Sequence, residues 1–302
     1  MKKRPGSWVF AWKQLRAIKR LKERGVAIVW TAHNRIPHES EFPMLDHLLS
    51  SKVASIADRI IVHSNAAREE ITEACGIKDQ RKIELIYHGN YRGVYGDLPE
   101  KGDSRVKLGL GNEEFVFLFL GAVRPHKGVS DLIDAYRLAN LDCRLIIAGN
   151  IQDKEFESEL RDLEKELPGL VLMSGFIPDE DLGGYFAASD VVVLPYQRSL
   201  TSGALVLAMS FERACIVPDF DTFTEFIDER GGFSYPAGST FELAEAMRKA
   251  MEARGRMEEF GRCNGKIASR WDWKEVARRT SAVYDEAFGM KAEGYCVDST
   301  RL

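Results

Sequence analysis

Apolar positions near the start of the chain recur at three- and four-residue spacing: Trp8, Trp12, Leu15, Ile18 and Leu21. That spacing predicts an amphipathic helix, closed by Gly25 after Lys22 and Arg24. Residues 26–31 form a short apolar run rich in β-branched side chains, the pattern of a buried strand. A helix over about 42–57, a strand over 59–63, a helix capped by Ser64 or Asn65 and running to 74, and a strand over 82–87 follow. Strands that alternate with helices and read as solid apolar runs predict a parallel sheet covered on both faces.

Between residues 91 and 113 the pattern stops, and Pro99, Gly102, Gly109 and Gly111 stand among charges. Alternation then resumes. Strands are predicted at 115–120, 144–148, 170–173, 190–195, 214–218 and 233–235. Helices are predicted at 129–139, 153–167, 179–188, 202–211 and 240–253. This is a whole doubly wound domain. One more helix is predicted over 273–288, before a polar end without periodicity.

The expected fold class is therefore α/β, with two Rossmann-like doubly wound domains facing a cleft, the N-terminal one incomplete. Residues 1–95 make the partial domain, 96–270 the complete one, 271–288 a helix crossing back, and 289–302 a disordered tail. The first domain begins on a helix and shows three strands. A full partner would need roughly 70–90 further residues at usual βα lengths, so truncation at the N-terminus is expected.

With 302 residues, 45% hydrophobic and 29% charged, disorder and fibrous repeats are excluded. A net charge of −4 speaks against a surface built for nucleic acid. Five scattered cysteines without a Cys-x-x-Cys pair suggest neither a disulfide framework nor a zinc site, which fits a reducing, cytoplasmic compartment. No apolar run approaches the ~18–20 residues of a spanning helix. The basic first helix is the one expected point of peripheral membrane contact, at the inner face.

Ligands of doubly wound sheets bind beyond the carboxyl ends of the strands, where loops open into helices. Three segments there carry unusual residues. In 121–128, Arg124 and Lys127 place two cations beside a helix start, a setting for phosphate or for a solvated basic loop. In 196–204, Thr201, Ser202 and Gly203 open another helix and suit either an anion or ordinary capping. In 31–39, His33, Asn34 and His38 follow an N-terminal strand, and His33 suits a general base or an acceptor-hydroxyl ligand. His88 and Asn90 lie past the last strand of that domain, facing the expected cleft. Glu225 follows a strand end and suits a ribose hydroxyl.

Residues 121–128, the stretch Phe176-Ile177-Pro178-Asp179-Glu180-Asp181-Leu182 with Ser189-Asp190-Val191-Val192-Val193-Leu194-Pro195, and 201–218 together resemble the family 4-type glycosyltransferases of the two-domain B fold. The similarity covers about 26–288 and is strongest over 115–253. It implies a nucleotide diphosphate-sugar donor on the C-terminal domain, a glycan or lipid-linked acceptor on the N-terminal one, and chemistry between them. Lys127 matches the lysine that contacts the donor diphosphate, with Ala122 where an arginine is usual and Arg124 supplying the charge. Phe176, Ile177 and Pro178 match the segment that meets the base, and His33 matches the histidine near the reaction centre. The two glutamates of retaining members fall at Ser199 and Leu207 here. That departure resembles a subgroup using Thr201, Ser202 and Gly203, and it leaves the stereochemistry open. Glu212-Arg213 stands where relatives have Gly-Lys or Gly-Arg.

The resemblance implies metal-independent sugar transfer, with Arg124, Lys127 and the amides near Ser202 and Gly203 stabilising the departing diphosphate. No cofactor and no metal are expected. Asp219-Phe220-Asp221 reads as a chance match to a metal signature. The alternative is a truncated or degenerate nucleotide-sugar or phosphate binder without catalysis; a nucleotide-sugar epimerase is a third reading.

Overall fold

A computed structural model describes residues 7–33, 43–96, 98–124, 127–197 and 202–298. The expectations placed on Asn34, His38, Ser199 and Thr201 lie outside the described residues. Two compact units form: 1–88 with 273–302, and 89–272.

In the first unit, β1 (Val29–Thr31), β2 (Arg59–Val62) and β3 (Ile83–Leu85) form a parallel sheet in that order, with Val29 opposite Arg59 and Ile60 opposite Ile83. Helices α1 (Ser7–Glu23), α2 (Pro43–Ile56) and α3 (Asn65–Cys75) alternate with the strands. Ser64 caps α3 by accepting from the Ala67 amide at 2.9 Å.

The last helix, α12 (Trp273–Asp298), lies in the same unit. Its Val283 packs with Ile61 and Ile86, and Arg59 pairs with Glu286 at 2.7 Å. This helix runs well beyond 288, so the expected disordered tail is helical as far as Asp298. Lys291, Ala292 and Glu293 are strong helix formers, and propensity carries a helix where apolar periodicity is missing.

In the second unit six parallel strands are ordered β6-β5-β4-β7-β8-β9. They are β4 (Val116–Leu120), β5 (Arg144–Gly149), β6 (Leu170–Ser174), β7 (Val191–Val193), β8 (Ala214–Pro218) and β9 (Gly232–Tyr235). Between them run α5 (Val129–Ala139), α6 (Lys154–Glu166), α7 (Asp179–Ala188), α8 (Gly203–Ser210), the short α9 (Asp221–Thr224) and α10 (Thr240–Glu252). All five residues of β4 are buried, as both-face coverage of a central strand requires. The strand order reverses between β4 and β7, the position at which doubly wound folds bind ligands.

Two helices depart from the sequence pattern. α4 (Lys101–Lys107) lies inside the 91–113 stretch, where the pattern stops. It is held by Arg105, which is 2% exposed and donates to Asp190 at 2.9 Å and to the Ala188 carbonyl at 3.1 Å. α11 (Met257–Ala268) buries Met257, Phe260, Gly261, Asn264, Gly265 and Ala268. That is helical spacing, but glycine and asparagine fill half the positions and hide it from a hydrophobic pattern. A Cβ on Gly261 would stand 1.9 Å from the Glu212 carbonyl oxygen, so only glycine permits this contact. Glu212 itself takes φ 55°, a left-handed backbone that is uncommon for a residue with a side chain.

The units divide between His88 and Gly89 rather than near residue 95. Asn90 donates to the Ala268 carbonyl at 3.0 Å, the Tyr91 amide donates to Ser210 at 2.9 Å, and Arg92 pairs with Glu212 at 3.1 Å. These bonds fasten residues 90–92 to the second unit before the composition changes.

Candidate functional site

The loops after β4 and β7 meet at the reversal point. Gly128, at φ 71°, ends the first loop as the N-cap of α5. A Cβ there would lie 1.8 Å from the Pro195 carbonyl oxygen, so the two loops touch only because this residue is glycine. The Lys127 ammonium stands 3.9 Å from the centroid of the Tyr196 ring. Burial is the larger cause that lowers the Lys127 pKa, and neighbouring Arg124 is the second. Both effects disfavour the ammonium, and a bound anion reverses them.

Tyr196 is buried, and its hydroxyl shares a hydrogen bond with Ser202; burial pushes its pKa up to about 12. Ser202 also caps α8, accepting from the Leu205 amide at 3.1 Å. Gly203, which opens α8, lies beside the Tyr91 hydroxyl: a Cβ on Gly203 would be 3.3 Å from it. Gln197 donates to Asp131 in the first turn of α5 at 3.0 Å. Two cations, a helix N-terminus and two phenols thus converge, the donor set of an anion site.

The structure brings together Arg124, Lys127, Ser202 and Gly203. Sequence reasoning missed Tyr196, Tyr91, Asp131 and Gln197 as parts of the same arrangement. Tyr196 carried a signal: it directly follows the apolar run 190–195, in the loop that leads from β7 to α8.

At the end of β6, Phe176 is 81% exposed, while Ile177 and Pro178 are half-buried. Glu225 is half-buried just past α9. Asp219 accepts from the Ala237 amide at 2.9 Å. Among the described residues no group of three or more His, Cys, Asp or Glu side chains is placed to hold a metal ion.

In the first unit, His33 is exposed just past β1, and its ring centroid lies 5.0 Å from that of His63, just past β2. His63 is 6.1 Å from His88, which lies 5.7 Å from Trp273 on α12. His63 escaped the sequence reading, although each strand of this sheet is followed within three residues by a histidine. Asn90 departs from its expected acceptor-side role: it is 8% exposed, lies in the second unit, and its side chain bonds the Ala268 carbonyl and the Arg92 amide.

Residues 100–266 match the family model of glycosyl transferases group 1. The chain belongs to that family. It is a sugar-transferring enzyme, and residues 6–89 match the model of glycosyltransferase family 4. A GDP-mannose:glycolipid 4-beta-D-mannosyltransferase of Xanthomonas campestris pv. campestris is 24% identical over 278 residues, 90% of this chain and 72% of that protein. A D-inositol 3-phosphate glycosyltransferase of Kineococcus radiotolerans is 23% identical over 262 residues, 78% of this chain and 59% of that protein. Anabaena HepE, solved in complex with UDP and glucose, superposes with TM-score 0.78 at 20% identity, over 91% of this chain and 76% of that one. Sucrose-phosphate synthase from Thermosynechococcus elongatus superposes with TM-score 0.73 at 18% identity, over 87% and 68%. These superpositions show the same parallel α/β fold. No helix among the described residues is long and apolar enough to cross a membrane.

Proposed function

We propose that this glycosyltransferase takes a sugar from a nucleoside diphosphate sugar to a hydroxyl of a glycan or lipid-linked acceptor, without a metal ion. The observation that carries the reading is the meeting of Lys127, Arg124 and the Ser202–Gly203 helix start where the strand order reverses. As the bond between the anomeric carbon and the diphosphate breaks, negative charge grows on the leaving oxygens. Fixed cations and amides aimed at that charge do electrostatically what a divalent ion does elsewhere. Phe176, Ile177, Pro178 and Glu225 are assigned to the nucleoside. GDP-mannose, named as the donor of the Xanthomonas relative, is of this class, and the UDP held by Anabaena HepE is the nucleoside diphosphate part of such a donor.

The acceptor is assigned to the first unit, with His33 taking the proton of the attacking hydroxyl. Asn34, His38 and His88 are assigned to its binding, and Thr201 to the donor side. The exposed Trp12, with the Arg16 guanidinium 5.2 Å over its ring, supports peripheral contact of α1 with an anionic membrane.

The test is calorimetry with UDP- and GDP-sugars on the full chain, followed by product analysis. Lys127→Ala is expected to lower donor turnover by about 100-fold. Unchanged turnover in that variant sinks the reading, and activity lost to EDTA sinks its metal-independence.

A further inference from the structure

His63 Nδ1 lies 2.7 Å from the backbone carbonyl oxygen of Ile86. A carbonyl oxygen only accepts, so Nδ1 carries the proton, and in the neutral ring Nε2 is left as an acceptor. Nε2 is buried and has no hydrogen-bond partner among the described residues. Such an orphaned acceptor calls for a donor. Among the described residues the titratable rings around it are His33, at 5.0 Å between centroids, and His88, at 6.1 Å and edge-on. Among the described residues no carboxylate contributes to its electrostatics. At the shorter separation, ring nitrogens that face each other come within about 3 Å, a geometry that an exposed side chain such as His33 reaches by rotation about its own bonds.

We infer that His63 is a positioning residue for His33, accepting the single ring N–H of neutral His33 and leaving its other nitrogen as the acceptor that faces substrate. The order of protons runs outward from the Ile86 carbonyl: His63 donates to it, His33 donates to His63, and the acceptor hydroxyl donates to His33. In the transfer step the hydroxyl proton moves to His33 while the oxygen bonds to the anomeric carbon. The carbon–oxygen bond to the diphosphate breaks, and the diphosphate leaves with the electron pair. The resulting His33 imidazolium keeps its hydrogen bond to a neutral partner, and burial, the main cause lowering the His63 pKa, holds that partner neutral. This catalytic consequence rests on the reading of His33 above; the tautomer order does not.

The test is the imidazole nitrogen spectrum of the full chain, labelled on histidine, at about pH 8, where a free histidine is neutral. Expected are His63 protonated on Nδ1 alone and His33 in one tautomer. In His63→Phe, which lacks the acceptor, His33 relaxes to mixed tautomers. His63→Asn, whose amide can still donate to the Ile86 carbonyl, shows the same change at His33 with that bond kept. Mixed tautomers of His33 in the unaltered chain, a proton on His63 Nε2, or an unchanged His33 spectrum in both variants overturns the inference.

Hydrolysis of UDP-glucose and GDP-mannose, with water as the hydroxyl acceptor, reads the consequence. His63→Phe is expected to lower kcat by about 10- to 100-fold at unchanged KM. His63→Gln, which offers an oxygen near the Nε2 position, recovers most of it. Equal kcat in the Phe variant overturns the catalytic role. A chain that binds neither donor by calorimetry refutes the glycosyl-transfer reading instead, and leaves the spectra to decide the tautomer order.

Discussion

The Lys127 ammonium rests 3.9 Å over the ring of Tyr196, whose hydroxyl is bonded to Ser202, the cap of α8. One contact therefore links the helix start after β4 to the helix start after β7. The cation is held by a π-face rather than a carboxylate, so its charge stays available to an anion.

This sets a pH dependence for donor binding. Burial and Arg124 lower the Lys127 pKa, so the free protein loses this charge at a lower pH than an ordinary lysine near about 10.4. A bound diphosphate favours the ammonium and raises the pKa again. Affinity for UDP is expected to fall as pH rises through the lowered value, with net proton uptake on binding. Calorimetry in buffers of different ionisation enthalpy measures it, and Lys127→Ala abolishes the uptake.

Gly128→Ala drives a methyl group against the Pro195 carbonyl, in a backbone region that alanine avoids. A stability loss of more than about 1 kcal/mol is expected, together with weakened donor binding. Gly184→Ala, in the interior of α7 with open space at its Cβ, is expected to stabilise by up to about 1 kcal/mol. Thermal melts of the two variants should move in opposite directions.

Asp190 takes hydrogen bonds from Arg105, Lys101 and the Val116 amide, at 2.9, 2.6 and 2.8 Å. Asp190→Ala removes the carboxylate that neutralises the Arg105 guanidinium, whose side chain is 3% exposed and, among the described residues, keeps only carbonyl partners. Leaving one buried partner unpaired costs about 3–5 kcal/mol, to be read from urea unfolding of the variant.

The His63 pKa is lowered, chiefly by burial, so the unfolded chain binds this proton more readily than the folded one. The sign follows: stability is retained above the unfolded value near about 6.5 and is lost as pH falls from there through the folded value. His63→Asn is expected to flatten that acid limb in denaturation curves taken between about pH 7 and about pH 5.

Arg16, Lys19 and Arg20 are exposed on α1 beside Trp12. Replacing all three by glutamine is expected to reduce binding to anionic liposomes in flotation assays, with no change on neutral ones. Equal binding to anionic liposomes would remove membrane contact from the reading.

Strand and helix alternation was legible along most of the chain because parallel strands buried on both faces read as solid apolar runs, as β4 and β5 do. The bounds of α5 and α7 agree with their patterns because their buried residues recur at three- and four-residue spacing, Val129, Leu132, Ile133 and Tyr136 in the first and Leu182, Gly183, Phe186 and Ala187 in the second. Where contact rests on other chemistry, the pattern failed. α11 packs through Gly261, Asn264 and Gly265, α4 is held by the buried Arg105, and α12 is continued by propensity.

Loop composition alone marked Arg124, Lys127, Ser202 and Gly203 as suited to an anion, because charge and capping act locally. Only the tertiary structure decided that they share one place. β4 and β7 are far apart in sequence and become neighbours through the crossover order, and the Gly128–Pro195 contact closes the gap. The three histidines show the same division. Each follows its own strand in sequence, but the parallel pairing of β1, β2 and β3 sets their rings side by side, and only there does the Ile86 carbonyl fix which nitrogen of His63 can accept.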